Sequence, residues 1–190
     1  MELNFEQESK ILINKDGMRF EKFVNNTFKL SFTIENKNIN LAQIINLDLM
    51  KLIYDLNPDI YEKVNLQKTN ENEAIITLIM KHFFIDIGLP QRYSYFNMKK
   101  GVKPDGTITF TAKSITDIKP IDIPDEVELV PMENMNVECK LETPHRANFT
   151  SYIIFNKKLT LPPFVEKMVG ILVNKIFNRV KLFIENVVIN

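Results

Sequence analysis

The sequence predicts an α+β fold, an antiparallel sheet curved around a long C-terminal helix, in one domain spanning residues 1–190. Three observations carry this. Thr27 to Glu35 (TFKLSFTIE) alternates apolar and polar residues with period two. A run of short strand-like segments separated by turn residues follows in the second half. The chain then ends in LTLPPFVEKMVGILVNKIFNRVKLFIEN, where the apolar period becomes helical.

Taken in order, Ser9 to Asn14 and Arg19 to Val24 are apolar-rich runs around Lys15-Asp16-Gly17 and read as a first strand pair. In Thr27 to Glu35, Phe28, Leu30, Phe32 and Ile34 share one face. Leu41, Ile44, Ile45, Leu49, Leu52, Ile53 and Leu56 recur at helical spacing, with Asn40 as N-cap. Pro58 opens a short helical turn over Asp59 to Val64. Strands are expected at Ala74 to Asp86, Tyr93 to Lys99 and Thr107 to Ser114, broken by Gly88-Leu89-Pro90 and Pro104-Asp105-Gly106. Lys119 to Pro131, with Pro120, Pro124 and Pro131, reads as a connection holding a short strand at Val127 to Val130. Met135 to Glu142 and Asn148 to Phe155 are two further strands. In the last helix, Val165, Val169, Leu172, Val173, Ile176, Val180, Phe183, Ile184 and Val187 form the face to be buried. Lys167, Asn174, Asn178, Lys181 and Glu185 lie opposite. Pro162 and Pro163 suit its first turn, where a missing N–H leaves no bond unmade.

The composition narrows function. With 24 basic and 24 acidic residues, the chain lacks the broad positive field that drives phosphate-backbone binding, so nucleic acid is not an expected partner. One cysteine, Cys139, excludes an intrachain disulfide framework and is compatible with a reducing, intracellular, cytoplasmic setting. The opening MELNFEQESK lacks the basic head and apolar run of a secretory signal. No apolar run approaches the roughly 18 residues of a membrane span.

Order and local motifs together resemble the START lipid-transfer domain, a helix-grip fold, from about Phe20 to the C-terminus. Leu89-Pro90-Gln91-Arg92-Tyr93 is similar to that family's proline followed by an arginine–aspartate–phenylalanine strand start, with Tyr93 in place of the aspartate. Asp105-Gly106 and the following strand to Ser114 resemble its turn and serine-ended strand. Phe149 to Phe155, Asn156-Lys157-Lys158-Leu159 and Pro162 resemble its last strand, loop, proline and helix. The chain departs from it in having no tryptophan, in Lys158-Leu159 where lysine–glycine is usual, and in Val127-Glu128 where valine–arginine is usual.

Catalytic chemistry finds little support. His82 and His145 have no partner at metal spacing; a satisfied or exposed structural histidine is the commoner reading of His82, and His145, after Pro144 in a turn, reads as solvent-facing. Cys139 alternates with Val137 and Leu141 and reads as a small core residue. Asp122, Asp125, Glu126 and Glu128 share a proline-bearing loop and read as a solvated surface. Five glycines are too few for a phosphate cradle, and no GxSxG, P-loop or GxGxxG occurs.

The resemblance therefore implies a non-catalytic protein that binds or transfers a hydrophobic ligand, a phospholipid, sterol or isoprenoid, in a tunnel beneath the terminal helix. No cofactor is expected beyond a bound lipid. Ile171, Leu172, Ile176, Val180 and Phe183 would form the roof, and Phe84, Tyr95 and Phe110 the floor. Arg92 would anchor a headgroup, its alternative role being a surface ion pair. Lys157, Lys158 and Leu159 would be a transient, peripheral membrane contact. The other reading is a structural or interaction subunit of a larger assembly that keeps the fold and fills the cavity. Fourteen phenylalanines, five tyrosines and eight methionines fit either, because core and pocket walls are both apolar.

Overall fold

The structure is a computed structural model and describes residues 9–157, 159 and 161–188. Among these, one ten-stranded sheet runs in the order β1-β2-β3-β10-β9-β7-β6-β5-β4, with β8 added beside β6. The strands are β1 (Lys10–Lys15), β2 (Met18–Lys22), β3 (Thr27–Glu35), β4 (Tyr61–Asn70) and β5 (Glu73–Met80). They continue with β6 (Arg92–Val102), β7 (Ile108–Ser114), β8 (Glu128–Leu129), β9 (Met132–Thr143) and β10 (Arg146–Phe155). All pairings are antiparallel except β6 with β8. Three helices, α1 (Leu41–Ile44), α2 (Leu47–Asp55) and α3 (Pro163–Asn186), complete the fold.

The period-two pattern decides which face of the sheet is concave and buried. In β3, Phe28, Leu30, Phe32 and Ile34 are all buried while Lys29, Ser31 and Thr33 are not. Across the pairing, Phe32 stacks on Phe149 of β10 at 5.0 Å between ring centroids. The same face continues through Cys139, Phe110, Phe96 and Ile76. α3 covers it from the side of β1, β2 and β3, and α2 covers the β4 side, where Tyr54 meets Tyr61 edge-on at 5.1 Å. Gly170 lets α3 approach β1 closely, since a Cβ there would stand 3.1 Å from Ile13 Cγ1. The opposite, convex face carries a smaller buried group, Ile79, Tyr93, Ile123 and Val127.

Several elements differ from expectation for identifiable reasons. The helix expected from Leu41 is broken by Asn46, whose backbone is extended and whose side chain accepts from Asp48 N at 2.8 Å, capping a second helix. The turn expected over Asp59 to Val64 instead enters β4, an edge strand rich in charged and amide residues whose alternation is weak because it pairs on one side only. The strand expected to reach Asp86 stops at Met80, and Ile85–Ile87 form a single 3-10 turn ended by Gly88 at φ 70°. The last helix begins at Pro163, as its prolines indicate.

Candidate functional site

The candidate site is the space between the N-terminal half of α3 and the concave face. Its two ends are built differently. At the end where α3 finishes, the buried Asn36 side chain donates to Ile184 O at 2.6 Å and Val187 O at 2.8 Å, and accepts from Asn38 N at 2.8 Å. Carbonyls left free at a helix C-terminus thereby gain partners. Asn36 N donates to His145 O, Leu41 N to Pro144 O, and His145 Nδ1 lies 2.8 Å from Ile39 O. This end is closed. Midway along α3, Arg179 and Lys175 both pair with Asp59, and the fully buried Asn57 accepts from Arg179 at 3.0 Å. Those donors, Arg179 first and then Lys175, hold the Asp59 carboxyl well below the usual carboxylate range.

At the end where α3 begins, Lys22 and Lys10 meet the buried carboxylate of Glu166. Here the concave face changes character. Along β9, Cys139 is buried but Val137 and Met135 on the same face keep partial exposure. Along β10, Ala147, Phe149 and Ser151 are buried whereas Ile153 and Phe155 are partly exposed. Facing them from α3, Val169, Leu172, Val173 and Phe177 are also partly exposed, though they pack on the same core. Period-two and helical patterns place these side chains inward, facing one another across the start of α3.

The proposed ligand residues do not share one surface. Phe110, Leu172, Ile176 and Val180 lie on the inward faces, with Phe110 completely buried, Ile176 and Val180 buried, and Leu172 partly exposed. Ile171 and Phe183 do not line the interior. They are 51% and 45% exposed, because the buried arc of α3 runs through Ile176, Val180 and Ile184 and leaves Ile171 on its outer side and Phe183 at its margin. Tyr95 lies on the convex face with Tyr93, since Phe96 and Met98 take the inward positions of β6. Phe84 sits at the start of the 3-10 turn, edge-on to Phe83, and not in a strand. Arg92 pairs with Glu128 across the β6–β8 junction, the surface ion pair that was its alternative role. Lys157 is exposed, Lys158 lies outside the described residues, and Leu159 is half-buried with its carbonyl accepting from Asn26 at 2.7 Å. Missed by sequence reasoning were Met135, Val137, Ile153 and Val173. Their alternation reveals their face, but nothing in it distinguishes a filled position from an unfilled one.

Burial pushes the Cys139 thiol up to about 12, which leaves it protonated and unreactive. Among the described residues no group of three or more histidine, cysteine or carboxylate side chains is placed to hold a metal ion. No helix among them is long and apolar enough to cross a membrane.

No protein-family model matches the sequence, and no curated protein does either. Solved structures do. The human StarD13 (DLC2) lipid transfer and protein localization domain superposes with a TM-score of 0.70 at 12% identity, covering 95% of this chain and 91% of that one. Human StAR-related lipid transfer protein 5 gives 0.61 at 14% identity over 92% and 87%. A STAR-related lipid transfer protein fragment from Xanthomonas axonopodis gives 0.63 at 12% identity over 93% and 98%. At such identities the likeness concerns architecture, and it agrees with the curved sheet and terminal helix described above: the chain has the START-like helix-grip α+β fold.

Proposed function

We propose that the chain binds a hydrophobic molecule, a phospholipid, sterol or isoprenoid, between the N-terminal half of α3 and the concave face, without catalysing a reaction on it. The observation that supports this most is the partial exposure of inward-facing apolar side chains where α3 begins, Met135, Val137, Ile153 and Phe155 opposite Val169, Leu172 and Val173. The lipid-transfer domains that share the fold support the same reading. Apolar ligand surface withdrawn from water would contribute about 25 cal/mol per Å² before ordering costs. Phe110, Ile176 and Val180 would form the deep wall.

The test is native mass spectrometry of gently purified protein followed by lipid extraction, with uptake from vesicles compared for the parent chain, Leu172→Trp and Val137→Trp. The expected result is a bound lipid in the parent and uptake reduced at least about tenfold in variants that melt normally, as loss of a well-packed apolar contact implies. A parent without lipid and without uptake would reject the reading. That outcome would favour a subunit of a larger assembly, for which the exposed Ile171, Leu182 and Phe183 on the outer side of α3 would be the contact.

A further inference from the structure

The concave face carries one polar group that the fold leaves unused. Among the described residues, the buried positions of β3, β7, β9 and β10 hold apolar side chains and the Cys139 thiol, with two exceptions, Ser114 and Ser151. Ser114 is satisfied, since its hydroxyl accepts from Met132 N at 2.9 Å. The Ser151 hydroxyl has no hydrogen-bond partner among the described residues, although the residue is only 9% exposed. Buried polar groups are nearly always bonded, so an exception of this kind calls for a physical reason.

Its surroundings supply one. The strand parity turns Ser151 inward together with Phe149 and Ile153, two residues away on either side of it in β10. Across the sheet it stands opposite Leu30 of β3 and Val137 of β9, and Val137 in turn stands opposite Phe110 of β7. The hydroxyl therefore sits in the middle of an apolar floor, between a buried Leu30 and a partly exposed Val137. For packing alone, an apolar residue at this position would serve the empty chain better, because an unbonded hydroxyl in an apolar setting lowers stability.

Charge narrows what the hydroxyl can meet. The only buried charged side chains among the described residues are Glu21 and Glu166. Glu21 pairs with Arg19, and Glu166 is held by Lys10 and by Lys22, whose ammonium also lies 5.9 Å from the centroid of the Phe28 ring. None of them stands on the floor around Ser151. A phosphate or carboxylate brought there would lose its water without gaining a counter-ion, a cost that one hydroxyl does not offset. A hydroxyl or carbonyl group would be matched, since serine both donates and accepts. Resting on the binding proposed above, we infer that Ser151 is the specificity-determining contact of that site: it holds the polar end of an uncharged lipid, one hydroxyl or carbonyl group on an otherwise apolar body. This excludes phospholipids from the ligands proposed above.

The test compares the parent chain with Ser151→Ala and with Ser151→Thr, which keeps the hydroxyl. Each is incubated with phosphatidylcholine vesicles carrying matched probes, 1-hexadecanol with hexadecane and cholesterol with cholestane, then re-isolated and extracted. For the skeleton that is taken up, the parent should carry more of the alcohol than of the hydrocarbon. That ratio should fall about fivefold to tenfold in Ser151→Ala, the scale of one hydrogen bond, and stay near the parental value in Ser151→Thr. A serine with a purely structural role would move the thermal melt and leave the ratio unchanged. A ratio unaltered by Ser151→Ala, equal uptake of alcohol and hydrocarbon by the parent, or a parent that carries off phosphatidylcholine in preference to both alcohols would overturn the inference and leave the binding reading standing. Uptake of no lipid at all would reject both.

Discussion

The two ends of the concave face contrast in what closes them. Where α3 ends, directional bonds do the work: one buried amide, Asn36, satisfies two helix carbonyls, and two backbone bonds join residues 36–41 to the β9–β10 turn. Where α3 begins, closure rests on the Lys22–Glu166 pair and on side chains that remain partly wet. The difference teaches that burial on a curved sheet is not set by which way residues point. The same face of β9 carries a sealed Cys139 and, one inward step away, a partly exposed Val137.

Mutations can break this contrast. Phe110→Ala, at a fully buried position, should cost about 3–5 kcal/mol, whereas Val137→Ala, directly opposite on β9, should cost under about 1 kcal/mol. Urea melts of both variants check this, and equal losses would erase the distinction between filled core and open mouth. Asn36→Ala should cost about 2 kcal/mol, because Ile184 O and Val187 O lose their donor while still enclosed. Amide exchange should then accelerate in the last turn of α3 and not in its first.

A smaller effect than the loss of Phe110 or Asn36 lies between the two ends. Asp59 is 42% exposed, so solvent screening limits what its pairs with Arg179 and Lys175 contribute, and Asp59→Asn should cost about 1 kcal/mol. The sign with pH follows from the depressed carboxyl. Its contribution is full above the ordinary value of 3.8 and is lost as pH falls below it toward the depressed folded value. Denaturation curves of parent and variant should therefore differ near neutrality and converge in acid. A difference that persisted in acid would assign the clasp's stability to shape instead of charge.

Much of the fold was legible. Thr27 to Glu35 alternates without a flaw and became β3, and the paired prolines mark where α3 starts. What escaped was structure whose cause lies outside the segment. β4 is a strand because β5 offers it an edge, and its own residues YEKVNLQKTN show little alternation. Tyr95 was assigned to the floor because aromatics were counted by strand and not by parity, although Phe96 and Met98 already occupied the inward positions. On α3 the stripe from Val165 to Val187 was correct for Val165, Ile176, Val180 and Ile184. Phe183 sits at its margin, and how far a sheet wraps round a helix is not written in the helix.

The seam between β3 and β10, where Phe32 stands opposite Phe149, joins the three N-terminal strands to the rest of the sheet. β3 and β9 each offer that seam an unpaired edge until β10 has been synthesised. A nascent chain therefore carries two incomplete hairpin assemblies, both with apolar faces, and cannot close either one from local contacts alone. Such late, long-range pairing slows folding and lengthens the interval in which bare edges can join the wrong neighbour. The segment from Arg146 through α3 thus acts as the closure step of the sheet, and deleting part of it should leave the chain in an aggregation-prone state.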